Sequence, residues 1–310
     1  MKKYLYSVII IFMLISSAKE SKAQQDAMYS QYMFNILALN PAYAGSRNVI
    51  SATALHREQW TGISGAPKTT MFTIDAPSDN KKLGFGLEVY NDKLGITNAS
   101  GLVLSSAYRI RMDKGTLSFG LQGSVENFKA DYSSVSLDEN GNLPDPAFDQ
   151  NINALHFNFG TGIYYNSDKF YFGISVPKLY PNRLSPNRNN RSVSKEEMHL
   201  FLLTGFLFDL NQDFKLRPSF LLKGVRGAPL EGDFNATLWI KDIVGIGGQY
   251  RTSADISGSL EIQISQQIRL GYAYDRSITN LSNYNNGSHE IMLRYEFGFD
   301  KDKTISPRYF

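Results

Sequence analysis

Leu83-Gly84-Phe85-Gly86-Leu87-Glu88-Val89-Tyr90 is the stretch whose reading decides the fold. Leu83, Phe85, Leu87 and Val89 alternate with Gly84, Gly86, Glu88 and Tyr90, so an extended chain sets large apolar side chains on one face and small or polar ones on the other. The same rhythm recurs at Leu117, Phe119, Leu121 and Val125, at Leu260, Ile262 and Ile264, and at Leu270, Tyr272 and Tyr274. Working outward from these runs gives fourteen candidate strands: about 49–59, 67–75, 82–92, 97–111, 115–128, 154–166, 169–177, 197–210, 213–224, 232–240, 243–251, 255–265, 267–276 and 288–299. Many span roughly 9 to 14 residues, whereas globular strands centre on about 5 or 6. A tilted membrane strand needs about 9 to 11 residues. The expected fold is therefore all-β, a transmembrane antiparallel barrel of about 14 strands (12 to 16) over residues 49–299, closed so that no edge is exposed.

The connections support this reading. Asp113-Lys114, Asn166-Ser167-Asp168, Asn211-Gln212 and Lys241-Asp242 are tight turns, while Lys129–Asn153, Lys178–Glu196 and Arg276–Gly287 are long and polar. The three long ones all follow odd-numbered strands and leave from one rim. Short periplasmic turns opposite long extracellular loops is the outer-membrane pattern.

The start of the chain reads as an export signal. Lys2 and Lys3 precede the apolar run Val8–Ile15, and Ser21-Lys22-Ala23 offers small residues for cleavage after Ala23, so residues 1–23 are expected to be a signal peptide. The apolar run is about half the roughly 20 residues of a spanning helix. Cysteine is absent, which excludes lipid acylation at a new N-terminal cysteine and disulfide chemistry. A net charge of +3 without a basic stripe argues against nucleic acid as a partner. Outer-membrane lipid is the expected surroundings.

Residues 24–48 do not alternate. Gln31-Tyr32-Met33-Phe34-Asn35 and then Asn40-Pro41-Ala42-Tyr43-Ala44-Gly45 suggest a short helix followed by a turn, with Asn-Pro and Ala-Gly as the turn signals. Leaving Tyr29, Tyr32, Phe34 and Tyr43 in water is costly, so the segment is expected to plug the barrel or to form a periplasmic piece. Candidate plug or partner-binding residues are Gln31, Tyr32, Phe34, Asn35, Asn40, Pro41, Tyr43 and Gly45, with Arg57 and Trp60. Trp60 fits an aromatic belt near a strand end, and Trp239 also lies close to one.

These residues carry a family resemblance. Gln31–Asn35, Asn40–Gly45, Arg57-Glu58-Gln59-Trp60 and Gly65-Ala66-Pro67-Lys68 with the strand Thr69–Asp75 look like the opening of the PorP/SprF family, outer-membrane components associated with type IX secretion in Bacteroidota. The likeness is most specific over about residues 25 to 95. It implies work with the secretion and gliding machinery. The implied partner is a secreted adhesin, held by its C-terminal sorting domain for export or surface anchoring, and periplasmic components of the secretion system are further implied partners. A passive porin or hydrophobic-compound transporter is the competing reading.

Catalytic chemistry is not evident. His56, His156, His199 and His289 fall on separate strands without metal-ligand spacing. His289-Glu290 lacks the second histidine of a zinc protease motif, with Leu293 in its place. Gly62-Ile63-Ser64-Gly65 lacks the spacing of a nucleophile elbow. Asp138–Asp145 resembles a calcium loop only loosely. The expectation is no cofactor, no metal and no enzyme activity. Arg109, Arg111, Arg251, Arg269, Arg294, Glu88, Glu126, Glu261, Glu290 and Glu296 fall mostly on the polar faces, which predicts a lumen laced with charge pairs. The tail Asp300–Phe310 is polar and is read as a periplasmic contact or as a disordered end.

Overall fold

The computed structural model describes residues 28–132, 151–183 and 196–297. The expected signal peptide, the Asp138–Asp145 turn and the C-terminal tail lie outside the described residues.

Fourteen antiparallel strands follow one another round a single sheet: β1 Ile50–Glu58, β2 Lys68–Pro77, β3 Leu83–Leu94, β4 Thr97–Met112, β5 Gly115–Ala130, β6 Ile152–Asn166, β7 Phe170–Val176, β8 His199–Phe206 with its continuation Phe208–Asp209, β9 Phe214–Val225, β10 Glu231–Ile240, β11 Val244–Arg251, β12 Asp255–Gln263, β13 Ile268–Ser277 and β14 Ser288–Phe297. Each pairs with its chain neighbours, and β14 pairs with β1 from Ile50↔Phe297 to Glu58↔His289, which closes the barrel. Closure gives every strand a hydrogen-bonded neighbour on each side and leaves no free sheet edge, a condition for crossing lipid.

Expected strand bounds differ from these by three residues or fewer at each end. One expected strand, 197–210, is interrupted at Leu207, whose N–H donates to the Lys169 carbonyl at 2.8 Å. The break sits beside Pro218, between the register pairs Ser219↔Gly205 and Leu216↔Phe208. Proline brings no N–H to a ladder.

One rim carries compact turns. Lys241 and Asp242 both have positive φ (51° and 59°), as the central pair of a type I′ turn requires, and the Ile243 N–H donates to the Ile240 carbonyl at 3.0 Å. The long connections 131–151, 177–198 and 278–287 leave from the other rim.

The two barrel faces are inverted relative to a soluble protein. Phe85, Val89, Leu104, Phe157, Phe159, Ile246 and Ile291 are exposed on the outside, while Glu88, Arg109, Glu126, Arg217, Glu261 and Arg269 are buried within. An outer surface this apolar is stable only against hydrocarbon. Leu104, at the middle of β4 and 59% exposed, should therefore face the membrane core. Leu104→Arg is expected to cost about 2–4 kcal/mol, read as a drop in unfolding free energy in lipid vesicles. A loss under about 0.5 kcal/mol, ordinary for a soluble surface, would show that this face does not meet lipid.

Candidate functional site

The lumen is occupied by the chain's own N-terminal segment. Three short 3-10 turns, Tyr32–Phe34, Ile36–Ala38 and Pro41–Tyr43, follow one another inside the barrel. Asparagines punctuate them. Asn35 ends the first, and Asn40 caps the third, its Oδ1 accepting the Ala42 N–H at 2.9 Å, with Pro41 at the first helical position. The segment runs lengthwise. Ser30 and Gln31 bond Glu290 toward the long-loop rim, and Gly45 and Arg47 bond Asp75 and Glu296 near the short-turn rim.

Glycines in the wall make room for it. A Cβ on Gly84 would lie 1.9 Å from the Ala44 carbonyl oxygen, one on Gly120 2.1 Å from the Ala42 nitrogen, and one on Gly162 2.1 Å from Asn40 Oδ1. At Gly84 and Gly120 the two backbones approach more closely than a side chain permits, and at Gly162 the Asn40 amide takes that space. Gly45 itself has φ +70°, and its N–H donates to Asp75 at 2.9 Å.

Polar contacts fix the segment to the wall. Arg57 reaches Asp275 at 2.5 Å and Glu290 at 3.1 Å, and its Nη1 also donates to Ser30 Oγ at 3.0 Å. Glu290 accepts the backbone N–H of Ser30 (2.9 Å) and of Gln31 (2.8 Å). Asn35 accepts from Thr73 at 3.0 Å and donates to the Met71 sulfur, Asn40 donates to the Ile163 carbonyl at 3.0 Å, and Ser175 donates to the Leu39 carbonyl at 2.6 Å. Ion pairs Arg217–Glu261 (2.7 Å) and Arg251–Asp233 (2.8 Å) line the same interior, so the expected charge pairing is present. Arg111 departs from it: the residue is exposed at the short-turn end of β4.

Phe34 sits among cations. Arg217, Arg294 and Arg269 lie 5.1, 5.6 and 6.0 Å from its ring centroid. Trp239, expected near a strand end and hence near an aromatic belt, is instead fully buried in the lumen, 4.9 Å from Arg269 and 5.8 Å from Arg217. Its parity on β10 matches Thr237, which also faces inward, and desolvated arginines hold it there by cation–π attraction.

The wall and the segment leave a cavity of about 200 Å³ toward the long-loop rim. Tyr29 and Leu39 contribute to its floor. Glu88, Glu126, Lys178 and Glu196 give it a charged lining.

Of the ten candidate residues, the structure brings nine together in the lumen: Gln31, Tyr32, Phe34, Asn35, Asn40, Pro41, Tyr43, Gly45 and Arg57, all buried. Tyr43 meets Tyr164 edge-on at 5.4 Å, and the Tyr32 hydroxyl lies 3.3 Å from Ser219 Oγ. Trp60 stands apart, half-buried in the connection after β1 with φ +51°, its N–H donating to Ser288 Oγ. Sequence reasoning missed the lumen glycines. Their signal was present, since Gly84 and Gly86 share the parity of the polar face, but a strand glycine alone does not say what approaches it.

A closed antiparallel barrel, apolar outside and charged within, is an outer-membrane β-barrel. Its sequence matches the family of the type IX secretion system membrane protein PorP/SprF over residues 21–295, and the chain belongs to that family. No curated protein is similar enough to match. Among solved structures the chain is similar to the KdgM porin, at 9% identity and TM-score 0.40 over 80% of this chain and 99% of that one. It is also similar to the outer membrane protein Omp33 of Acinetobacter baumannii, at 8% identity and TM-score 0.42 over 80% and 96%. A third is the CymD monoaromatic hydrocarbon channel, at 11% identity and TM-score 0.47 over 88% and 94%.

Proposed function

We propose that this barrel is a plugged, non-conducting and non-enzymatic mount of the type IX secretion system. It binds a secreted protein, such as the C-terminal sorting domain of a large adhesin, for export or surface anchoring in gliding. The observation that carries this reading is the occupied lumen. Residues 29–47, all but Ala38 buried, run along the barrel and are bonded to both ends of the wall, an arrangement that suits a rigid docking platform better than a passage for solutes. The long connections on one rim offer the docking face, and an incoming chain could satisfy its backbone hydrogen bonds there by strand addition or loop insertion. Periplasmic components of the secretion system would meet the opposite rim. Nine buried candidate residues act, in this reading, by holding the plug; Trp60, at the long-loop rim, is the one placed to touch a partner.

The test is twofold. Purified from its own outer membrane without crosslinking, the intact protein should carry a large secreted protein with it, and in planar bilayers it should give no steady unit conductance. A reproducible open channel with no co-purifying partner would overturn the proposal in favour of a porin.

A further inference from the structure

We propose that Glu126, His156 and Glu196 form a binding site for one divalent transition-metal ion of the zinc type, opened by displacement of Lys178. Glu126 comes from β5, His156 from β6, and Glu196 from the residues just before β8, so no sequence spacing unites them. The structure does: one donor atom from each lies within 4.8 Å of the other two. A tetrahedral ion holding donors at about 2.1 Å separates them by roughly 3.4 Å, so side-chain adjustments of about an ångström assemble the site.

His156 points to the ligand. The residue is 7% exposed, and among the described residues neither ring nitrogen has a hydrogen-bond partner. Its Nδ1 faces Glu126 Oε1 at 3.8 Å while the ring stacks on Phe128. A buried imidazole without a donor or acceptor partner is costly. The carboxylates are already oriented. Tyr90 donates its hydroxyl to Glu126 Oε2, and Asn182 Nδ2 donates to Glu196 Oε2 at 3.0 Å. Outer hydrogen bonds of this kind fix the remaining oxygens toward a metal.

The Lys178 ammonium stands where a cation belongs, 3.1 Å from Glu196 and 3.5 Å from Glu126. It balances the two acids but leaves the imidazole unsatisfied. A metal ion serves all three. Mixed imidazole and carboxylate donors select zinc-like ions over calcium or magnesium, which prefer oxygen alone. The site borders the cavity near the long-loop rim, from which water could complete the coordination.

The full-length barrel, solubilised in detergent and stripped with a chelator, would be titrated with Zn²⁺ by calorimetry and with Co²⁺ by visible absorption. One equivalent should bind, with tetrahedral cobalt bands. Loss of an outer partner of a metal ligand costs about 10–100-fold in affinity, so His156→Ala or Glu126→Gln should cost at least about 100-fold. Lys178→Met removes the competing cation and should tighten binding by about tenfold or more, by the same electrostatic reasoning. Absence of saturable binding in both the wild type and Lys178→Met would overturn the proposal, as would unchanged affinity in folded His156→Ala. Should the ligand variants fail to assemble, X-ray absorption of the zinc-loaded wild type decides: one imidazole with oxygen donors supports the site, and oxygen donors alone overturn it.

Discussion

Gly120→Val is expected to drive the N-terminal segment out of the barrel and, with the proposed seal gone, to make the barrel conduct. A Cβ at this position would lie 2.1 Å from the Ala42 nitrogen and 2.4 Å from the Pro41 carbonyl carbon, both backbone atoms that no rotamer change can move. Either the wall or the segment must yield. Gly120 lies inside β5, whose ladders run from Thr97↔Ala130 to Met112↔Gly115 on one side and from Thr116↔Asn166 to Ala130↔Ile152 on the other. The segment is held by short turns and a modest set of side-chain bonds, so it gives way first. Overpacking of this kind typically costs about 1–3 kcal/mol, and release of the segment also exposes Phe34, Ile36 and Tyr43. The measurements are single-channel conductance and protease cleavage within residues 28–47. Gly123→Ala is the control, because its added Cβ meets nothing within 4 Å. Unchanged conductance and unchanged protease resistance in Gly120→Val would show that the segment does not seal the lumen.

Why the barrel was legible in the sequence while most of the site was not follows from the range of the forces involved. Lipid imposes a rule on every second residue, so Leu83 to Val89 and Leu117 to Val125 state their orientation locally. The rule also explains why strand ends were found to within a few residues. The site obeys no such rule. Phe34 meets Arg217, Arg269 and Arg294, which lie nearly two hundred residues or more along the chain and come together only after closure. Gly84, Gly120 and Gly162 look alike in sequence with Gly123, yet the first three touch the N-terminal segment and the last touches nothing. Trp239 illustrates the same limit: its place near a strand end suggested a belt, but parity turned it inward between two arginines. Candidate residues from 31 to 45 emerged because their aromatic and amide side chains broke the alternation, a local signal of a different environment. Glu126 reads as a lumen charge, but nothing in the sequence unites it with His156 and Glu196, since their proximity depends on the β5–β6 register and on the entry to β8.

Arg57→Met is expected to be the most damaging single substitution in the wall. Arg57 on β1 stands directly opposite Glu290 on β14, across the seam where the barrel closes. Its guanidinium also reaches Asp275 on β13, and all three side chains are at most 2% exposed. Methionine keeps much of the volume but leaves two carboxylates buried without their cation. Removing one partner from a buried ion pair costs about 3–5 kcal/mol, far more than the pair's net contribution, because the remaining charge has lost its water. The loss reaches the N-terminal segment too, since Glu290 holds the backbone N–H groups of Ser30 and Gln31 and Asp275 accepts from the Ser30 hydroxyl at 2.7 Å. Urea unfolding in lipid vesicles measures the cost. The charge argument further requires rescue: Arg57→Met combined with Asp275→Asn and Glu290→Gln removes the stranded charges while keeping acceptors for Ser30 and Gln31. That triple variant should recover more than half of the lost stability. A loss below about 1 kcal/mol in the single variant would mean that water reaches the seam, since exposed pairs are worth no more than that. A full loss without rescue would assign the effect to packing at the seam and not to charge.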